Sequence, residues 1–301
     1  LNERSEGKPV FRAGLNYAAA QYTFLRASFG QGYRFPSIAE SYITTKVGPV
    51  SIYPNPTLES ETGTNLEIGI KQGFKIGKIQ FLADLAVFQM TFENMMEFTF
   101  GQWGPVVQPL YGVGFITLNT GKTSVTGSEI NLSFQRKSKN IKIQGFVGYT
   151  YADSRALEPS RAIGVDNINK QLTYRNTSSD TTDDVLKYRP THLAKADIMV
   201  GYKNWTFGLG GTYQSAVQNV DLAFVNFPIS AFVPGVQESM DKKLTAYTLF
   251  NARIGYAFSK TWKTNLLVSN ISNSEYAIRP ADLGSPRTVR LQVTYTIDKA
   301  K

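Results

Sequence analysis

Hydrophobic and polar residues alternate one by one along the end of the chain. Val289, Leu291, Val293, Tyr295 and Ile297 fall on one face, and Thr288, Arg290, Gln292, Thr294 and Thr296 on the other. A period of two held this long is a β-strand with one apolar and one polar side. The same two-faced stretch recurs back along the chain. It is found near Val10–Tyr17, Tyr22–Gly30, Asn65–Gln72, Lys78 to about Phe92 or on to Phe100, Ile141–Tyr151, Ala194–Tyr202, Trp205–Tyr213, Phe250–Phe258 and Trp262–Val268.

Between these strands, short and long connections take turns. Ala18–Gln21, Gly73–Gly77, Arg136–Asn140, Lys203–Asn204 and Ser259–Lys260 are short. Gln31–Gly63, Gly101–Gly112, Asp153–Arg189, Gln214–Leu244 and Asn270–Pro286 are long and irregular. A transmembrane β-barrel connects its strands in this way, with short periplasmic turns and long outer loops. Strands near the ~9–11 tilted residues that cross a bilayer agree with it. Aromatic residues at strand ends (Tyr149, Tyr151, Tyr202, Trp205, Tyr213, Tyr256, Phe258, Trp262 and Tyr295) fall where interfacial girdles stand.

Asn119-Thr120-Gly121-Lys122 reads locally as a hairpin turn. Keeping the short–long parity instead requires one long strand from about Val113 to Arg136, straight through Gly121. The expectation is then an all-β fold, a transmembrane antiparallel β-barrel, with about eleven strands in this chain, entering and leaving on the periplasmic side. The bland alternative is a soluble β-sandwich, whose strands average ~5–6 residues. An open sheet of eleven strands would leave edge amides and carbonyls unpaired in lipid. Bacterial barrels mostly have even strand numbers, so the chain is expected to lack N-terminal strands.

Composition narrows the function. The 301 residues contain no cysteine and a single histidine, His192. Disulfides and thiolate metal sites are excluded, and a His-based triad or metal site is disfavoured. No apolar run reaches the ~18 residues of a membrane helix. The chain opens on polar Leu1-Asn2-Glu3-Arg4, unlike a signal peptide. The net charge is +9, scattered singly along strands, which argues against a nucleic-acid partner. Gly30-Gln31-Gly32 begins like a dinucleotide fingerprint, but position 35 is Phe and no helix is expected there. His192 is expected in a girdle rather than a catalytic site. Asp180, Asp183 and Asp184 form a solvated loop more readily than a Ca²⁺ site.

From Leu25 to Gly69 the sequence resembles the outer-membrane TonB-dependent receptor family. The residues that carry this are Arg26-Ala27-Ser28-Phe29-Gly30-Gln31-Gly32-Tyr33-Arg34-Phe35-Pro36-Ser37 with Glu40, then Asn55-Pro56-Thr57-Leu58-Glu59-Ser60-Glu61, then Thr64-Asn65-Leu66-Glu67-Ile68-Gly69. Asn119–Lys122 through Gly127-Ser128-Glu129 resembles the family's long mid-barrel strand. Val268–Asn273, with Tyr276 and Pro286-Arg287, resembles its closing hairpin.

The resemblance implies the C-terminal half of a barrel of about 22 strands, with the N-terminal plug domain outside this chain. It also implies a bacterial outer-membrane location and import of a scarce ligand, such as a ferric siderophore, energised by the TonB complex through the plug. Other family cargoes (cobalamin, glycan, peptide, metal) stay open, as does a barrel enzyme from another class. Outer-membrane lipid and a small-molecule cargo are the expected partners, the complete barrel is expected to be monomeric, and no cofactor, catalytic residue or resident metal is assigned.

The motif residues Arg34, Phe35, Pro36, Glu40, Asn55, Pro56, Glu61, Glu67, Gly69, Gly127 and Glu129 are expected to be structural. Arg34, Glu61 and Glu67 should satisfy one another or plug groups. Pro36 and Pro56 should stop the strand ladder. Trp103, Tyr111, Arg155, Arg161 and Arg175, on outer loops, are the ligand-contact candidates, on the reasoning that a +9 lumen and loop surface suits anionic cargo.

Overall fold

The structure is a computed structural model and describes residues 7–47, 50–105, 112–225, 244–279 and 282–297. Eleven strands form one sheet in sequence order: β1 (Arg12–Ala20), β2 (Thr23–Arg34), β3 (Glu61–Ile76), β4 (Ile79–Glu93), β5 (Thr123–Lys137), β6 (Ile141–Ala156), β7 (His192–Tyr202), β8 (Trp205–Gln214), β9 (Tyr247–Ala257), β10 (Trp262–Ser269) and β11 (Thr288–Tyr295). Each is antiparallel to the next. The short–long rhythm of connections is present throughout.

Register carries the two faces across the whole sheet. Leu25, Ile70, Leu85, Ile130, Tyr149, Ala194 and Tyr213 stand in one cross-strand row on the apolar face. One residue along, Phe24, Lys71, Asp84, Asn131, Gly148, Lys195 and Thr212 form a row on the polar face. The apolar face is uncovered: Leu15 is 67% exposed, Val87 58% and Leu291 69%. A sandwich would bury these residues against a second sheet. The buried apolar clusters among the described residues lie instead in the outer loops, around Met95, Tyr174 and Leu186 and around Val220, Leu244 and Ala277.

Aromatic rings mark the ends of the apolar face. At the periplasmic end the Trp205 ring lies 4.6 Å from that of Tyr256, and Trp262 lies 4.7 Å from Tyr295. At the outer end His192 stacks on Tyr149, whose hydroxyl is 2.8 Å from Nδ1 of His192. His192 therefore sits in a girdle, as its parity predicts.

Two expectations are corrected. The long strand through Gly121 does not exist. The chain runs in one direction, but it breaks at residues 120–122, where Gly121 has φ +94°. The preceding part, Val113–Asn119, leaves the wall and pairs with Met96–Gln102 and with Val50–Tyr53 in a separate four-stranded sheet above it. The partner side breaks likewise at Asn94, φ 54°. The parity was right and the straightness wrong: both strands bend out of the wall together.

The chain also does not enter on the periplasmic side. Eleven crossings end opposite to where they start, and β1 leads directly into the short turn at residues 21–22. So β1 and β11 both run from outside to periplasm. Their free edges are parallel in direction, and antiparallel closure requires an odd number of further strands.

Candidate functional site

Above β2 and β3 the motif residues build the base of the outer rim. Pro36 ends β2, and Ser37 caps a five-residue helix, Ile38–Tyr42. The cap is reciprocal: Glu40 N–H donates to Ser37 Oγ (3.2 Å), and Ser37 N–H donates to Glu40 Oε2 (2.8 Å). Arg34 donates to both oxygens of Glu40, at 3.0 and 3.1 Å, and lies 3.7 Å from Glu61. Burial opposes ionisation of Glu40, but the Ser37 amide, Arg34 and the Ser37 hydroxyl outweigh it and hold this carboxyl below its ordinary range.

Further along, Asn55 Oδ1 accepts from Thr57 N–H and hydroxyl (3.0 and 2.6 Å), while its amide donates to the Thr117 carbonyl at 2.9 Å. The Glu59 amide donates to Asn119 Oδ1, and Asn119 Nδ2 donates to the Glu59 and Asn94 carbonyls. Glu61 Oε2 accepts from the Met96 amide at 3.0 Å. Leu58 is buried beneath this clamp. The Asn-Pro-x-Leu segment thus fastens the first outer loop to the two break points of the second. Phe35 and Pro56 remain exposed.

The expected Arg34–Glu61–Glu67 group is only partly present. Glu67 turns to Arg26 instead (2.8 Å), on the polar inner face, where Arg26 also pairs with Asp84 at 2.5 Å and Lys71 with Asp84 at 3.4 Å. Arg26 on β2 reaches Asp84 on β4 by crossing over Gly69 on β3. A Cβ at Gly69 would sit 2.8 Å from Arg26 Cζ and 2.9 Å from the Leu85 carbonyl oxygen. The same device recurs: Arg253 on β9 forks onto Asp197 on β7 (2.9 and 2.6 Å) across Gly208 and Gly210 of β8. Gly127 makes room for the Phe88 ring on the same face. Glu129 stands half-buried there between Ala86 and Thr150.

The ligand-contact candidates are engaged inside the rim. Arg155 donates to Asp153 (2.7 Å) and to the Asp183 carbonyl, and Arg161 to Glu158 (2.9 Å). Arg175 forks onto Asp184 at 3.1, 3.0 and 2.7 Å and donates to Ser160. Trp103 is half-buried against Gly101 and Gly164, with its carbonyl accepting from Asn167. Tyr111 lies outside the described residues. Asp180 caps Thr182, and Asp184 pairs with Arg175, so the acidic triplet is dispersed.

Nor is the +9 charge in the outer loops. Residues 35–60, 94–122, 157–191, 215–246 and 270–287 hold 11 Lys and Arg against 13 Asp and Glu.

Sequence reasoning missed the centre of the rim. Lys187 is fully buried, its Nζ 3.1 Å from Thr177 Oγ1 and 3.4 Å from Asp221 Oδ2, above the Tyr174 ring. Glu97 Oε2 lies 3.9 Å from Lys187 Nζ, buried and without a hydrogen-bond donor. Burial pushes the Glu97 carboxyl up to about 7, against the pull of Lys187. Burial also raises Tyr174, whose hydroxyl accepts from the Lys187 amide. These residues join three outer loops. Nothing in a lone Lys among loop residues signals this.

The model of the family described as "TonB dependent receptor-like, beta-barrel" matches residues 2–271. Among solved structures, the copper transporter OprC is 15% identical, with TM-score 0.62, over 94% of this chain and 39% of its own. The siderophore receptor PirA of Pseudomonas aeruginosa is 14% identical, TM-score 0.56, over 95% and 41%. The Serratia marcescens hemophore receptor HasR, in complex with its hemophore HasA and heme, is 18% identical, TM-score 0.57, over 95% and 39%. The chain thus spans about two fifths of the length of these structures. No functionally curated protein matches in sequence.

Proposed function

This chain belongs to the TonB-dependent receptor family, as part of its outer-membrane β-barrel, and from that membership we propose that it walls an importer that captures a scarce ligand outside the cell and passes it to the periplasm. The carrying observation is the family match over residues 2–271 on a wall with a lipid-type outer face and an ion-paired inner face. The intact receptor takes its energy from the TonB complex through a plug domain seated against that inner face.

The cargo is a ferric siderophore. PirA, named a siderophore receptor, and Fiu, named a ferric-catecholate import receptor, share this fold. In the outer rim Arg161, Arg175 and Lys187 are held by carboxylates, which leaves the other rim cations to meet an anionic cargo. A copper cargo, as OprC is named for, is the second reading. Direct binding separates them. Titrating the intact receptor in detergent with ferric catecholates, ferric hydroxamates and Cu²⁺, followed by intrinsic fluorescence, should give saturable sub-micromolar binding for one siderophore class. Saturable binding of Cu²⁺ alone refutes the siderophore.

A further inference from the structure

Positive charge is distributed unevenly from one end of the wall to the other. The outer loops carry a slight excess of acid. Four periplasmic turns reverse this: residues 75–80, 136–142, 202–205 and 258–263 hold nine Lys and Arg and no Asp or Glu. All nine are exposed, and among the described residues none has an ion-pair partner. At the outer end Arg34, Lys122, Arg155, Arg161, Arg175 and Lys187 meet carboxylates, while Lys46, Lys170, Arg189 and Arg287 have no ion-pair partner among the described residues. Exposed cations clustered on four successive turns raise the local positive potential and draw counter-charge to that end of the wall.

Register divides the nine. Arg136 falls on the apolar row, opposite Ile143. Lys78, Lys139, Lys203 and Lys260 stand in the turns themselves. The other four, Lys75, Lys137, Lys142 and Lys263, follow the inner-face parity. Lys203 Nζ lies 5.4 Å from the ring centroid of Tyr202, which pairs with Trp205 in the periplasmic aromatic row. A cation level with that row and on its outward side is at headgroup depth, with its stem along the apolar surface.

We propose that Lys78, Arg136, Lys139, Lys203 and Lys260 form a belt that gathers anionic phospholipid headgroups of the inner leaflet around the periplasmic end of the barrel. The ligand chemistry is a phosphate diester with net negative charge, held by ammonium and guanidinium donors. Each cation near an anionic lipid surface contributes roughly five-fold in association. Arg136 on the outward row and Lys203 beside the aromatic row put two of the five against lipid, with the three turn lysines level with them. This favours lipid over a soluble polyanion or the cell-wall polymer, which would meet the inward four instead.

The test uses the intact receptor in phosphatidylcholine membranes with spin-labelled lipids. The wild type should bind labelled phosphatidylglycerol several-fold more strongly than labelled phosphatidylcholine, and 0.5 M NaCl should remove most of the difference. Substituting the five belt residues (Lys78→Gln, Arg136→Gln, Lys139→Gln, Lys203→Gln, Lys260→Gln) should bring the two lipids to parity. Substituting the inward four (Lys75→Gln, Lys137→Gln, Lys142→Gln, Lys263→Gln) should keep the preference. A wild type without preference overturns the proposal, with no dependence on how any variant folds. So does a preference lost only with the inward four, or a five-residue belt variant that loses binding to purified cell-wall sacculi with its lipid preference unchanged.

Discussion

Replacing Leu291 by Arg should destabilise the barrel severely, while the same change one residue along, Gln292→Arg, should be nearly silent. In β11, Val289, Leu291, Val293 and Tyr295 face outward, at 64, 69, 57 and 55% exposure. Tyr295 lies in the periplasmic aromatic row beside Trp262. Leu291 is four residues above it, which at ~3.3 Å per residue and a ~45° tilt is roughly 9 Å. In an apolar band about 25 Å tall, that is close to the midplane, where a lipid-facing Arg costs about 2–4 kcal/mol. Gln292 points inward beside Asn265, and Arg290 on the same inner row shows that a guanidinium is tolerated there. Its replacement should stay within about 0.5 kcal/mol. The assay is urea titration of the intact receptor folded into short-chain phosphatidylcholine vesicles, read by tryptophan fluorescence and by the heat-shifted gel mobility of the folded barrel. Equal tolerance at the two positions would refute the face assignment. A larger loss at Gln292 would invert it.

Other consequences follow from the same contacts. Gly69→Ala should cost about 1–3 kcal/mol by driving Arg26 off its bridge over β3, whereas Gly32→Ala, with nothing within 4 Å of the new Cβ, should be neutral in the same titration. Arg26→Met leaves Glu67 without its cation and Asp84 with Lys71 alone; since Arg26, Glu67 and Asp84 are 23–31% exposed, the expected loss is about 1–2 kcal/mol, measured as a shifted urea midpoint. The Glu97 carboxyl, raised by burial from 4.5 to about 7, holds its proton longer when the rim is closed than when it is open. The stabilisation it confers is therefore full below about pH 4.5 and is lost as pH rises towards 7. Lys187, Arg189, Asp221 and Tyr174 surround it. Hydrogen exchange near residues 97–99 and 185–187, corrected for intrinsic rates, should be faster at pH 8 than at pH 5, and Glu97→Gln should abolish the difference; an unchanged pH step in that variant would show that another group titrates.

Strand faces, strand count and loop sides were legible because each rests on a local rule. A period of two reads the same in any single strand, and connection lengths are visible directly. The sense of the first crossing was a matter of parity, and following β1 into its turn at residues 21–22 reverses the entry side. The breaks at Asn94 and Gly121 were hidden because the alternation continues through them; what bends the chain is long-range, the Asn55, Glu59 and Glu61 contacts to Thr117, Asn119 and Met96. The motif residues were recognisable as a group, but their partners were not: Glu67 chooses Arg26 across the sheet because register places them opposite neighbours. Loop arginines looked available in sequence and are neutralised by carboxylates close by in their own loop. Counting charge over the whole chain concealed that it sits at the periplasmic end.

Energy-dependent uptake tests the central reading most directly. Cells carrying the intact receptor, starved of iron and given a radiolabelled ferric siderophore of the class it binds, should accumulate label. Accumulation should fall to background when the TonB complex is deleted, while surface binding persists. Uptake that is indifferent to the TonB complex, or surface binding of no siderophore at all, would contradict the account.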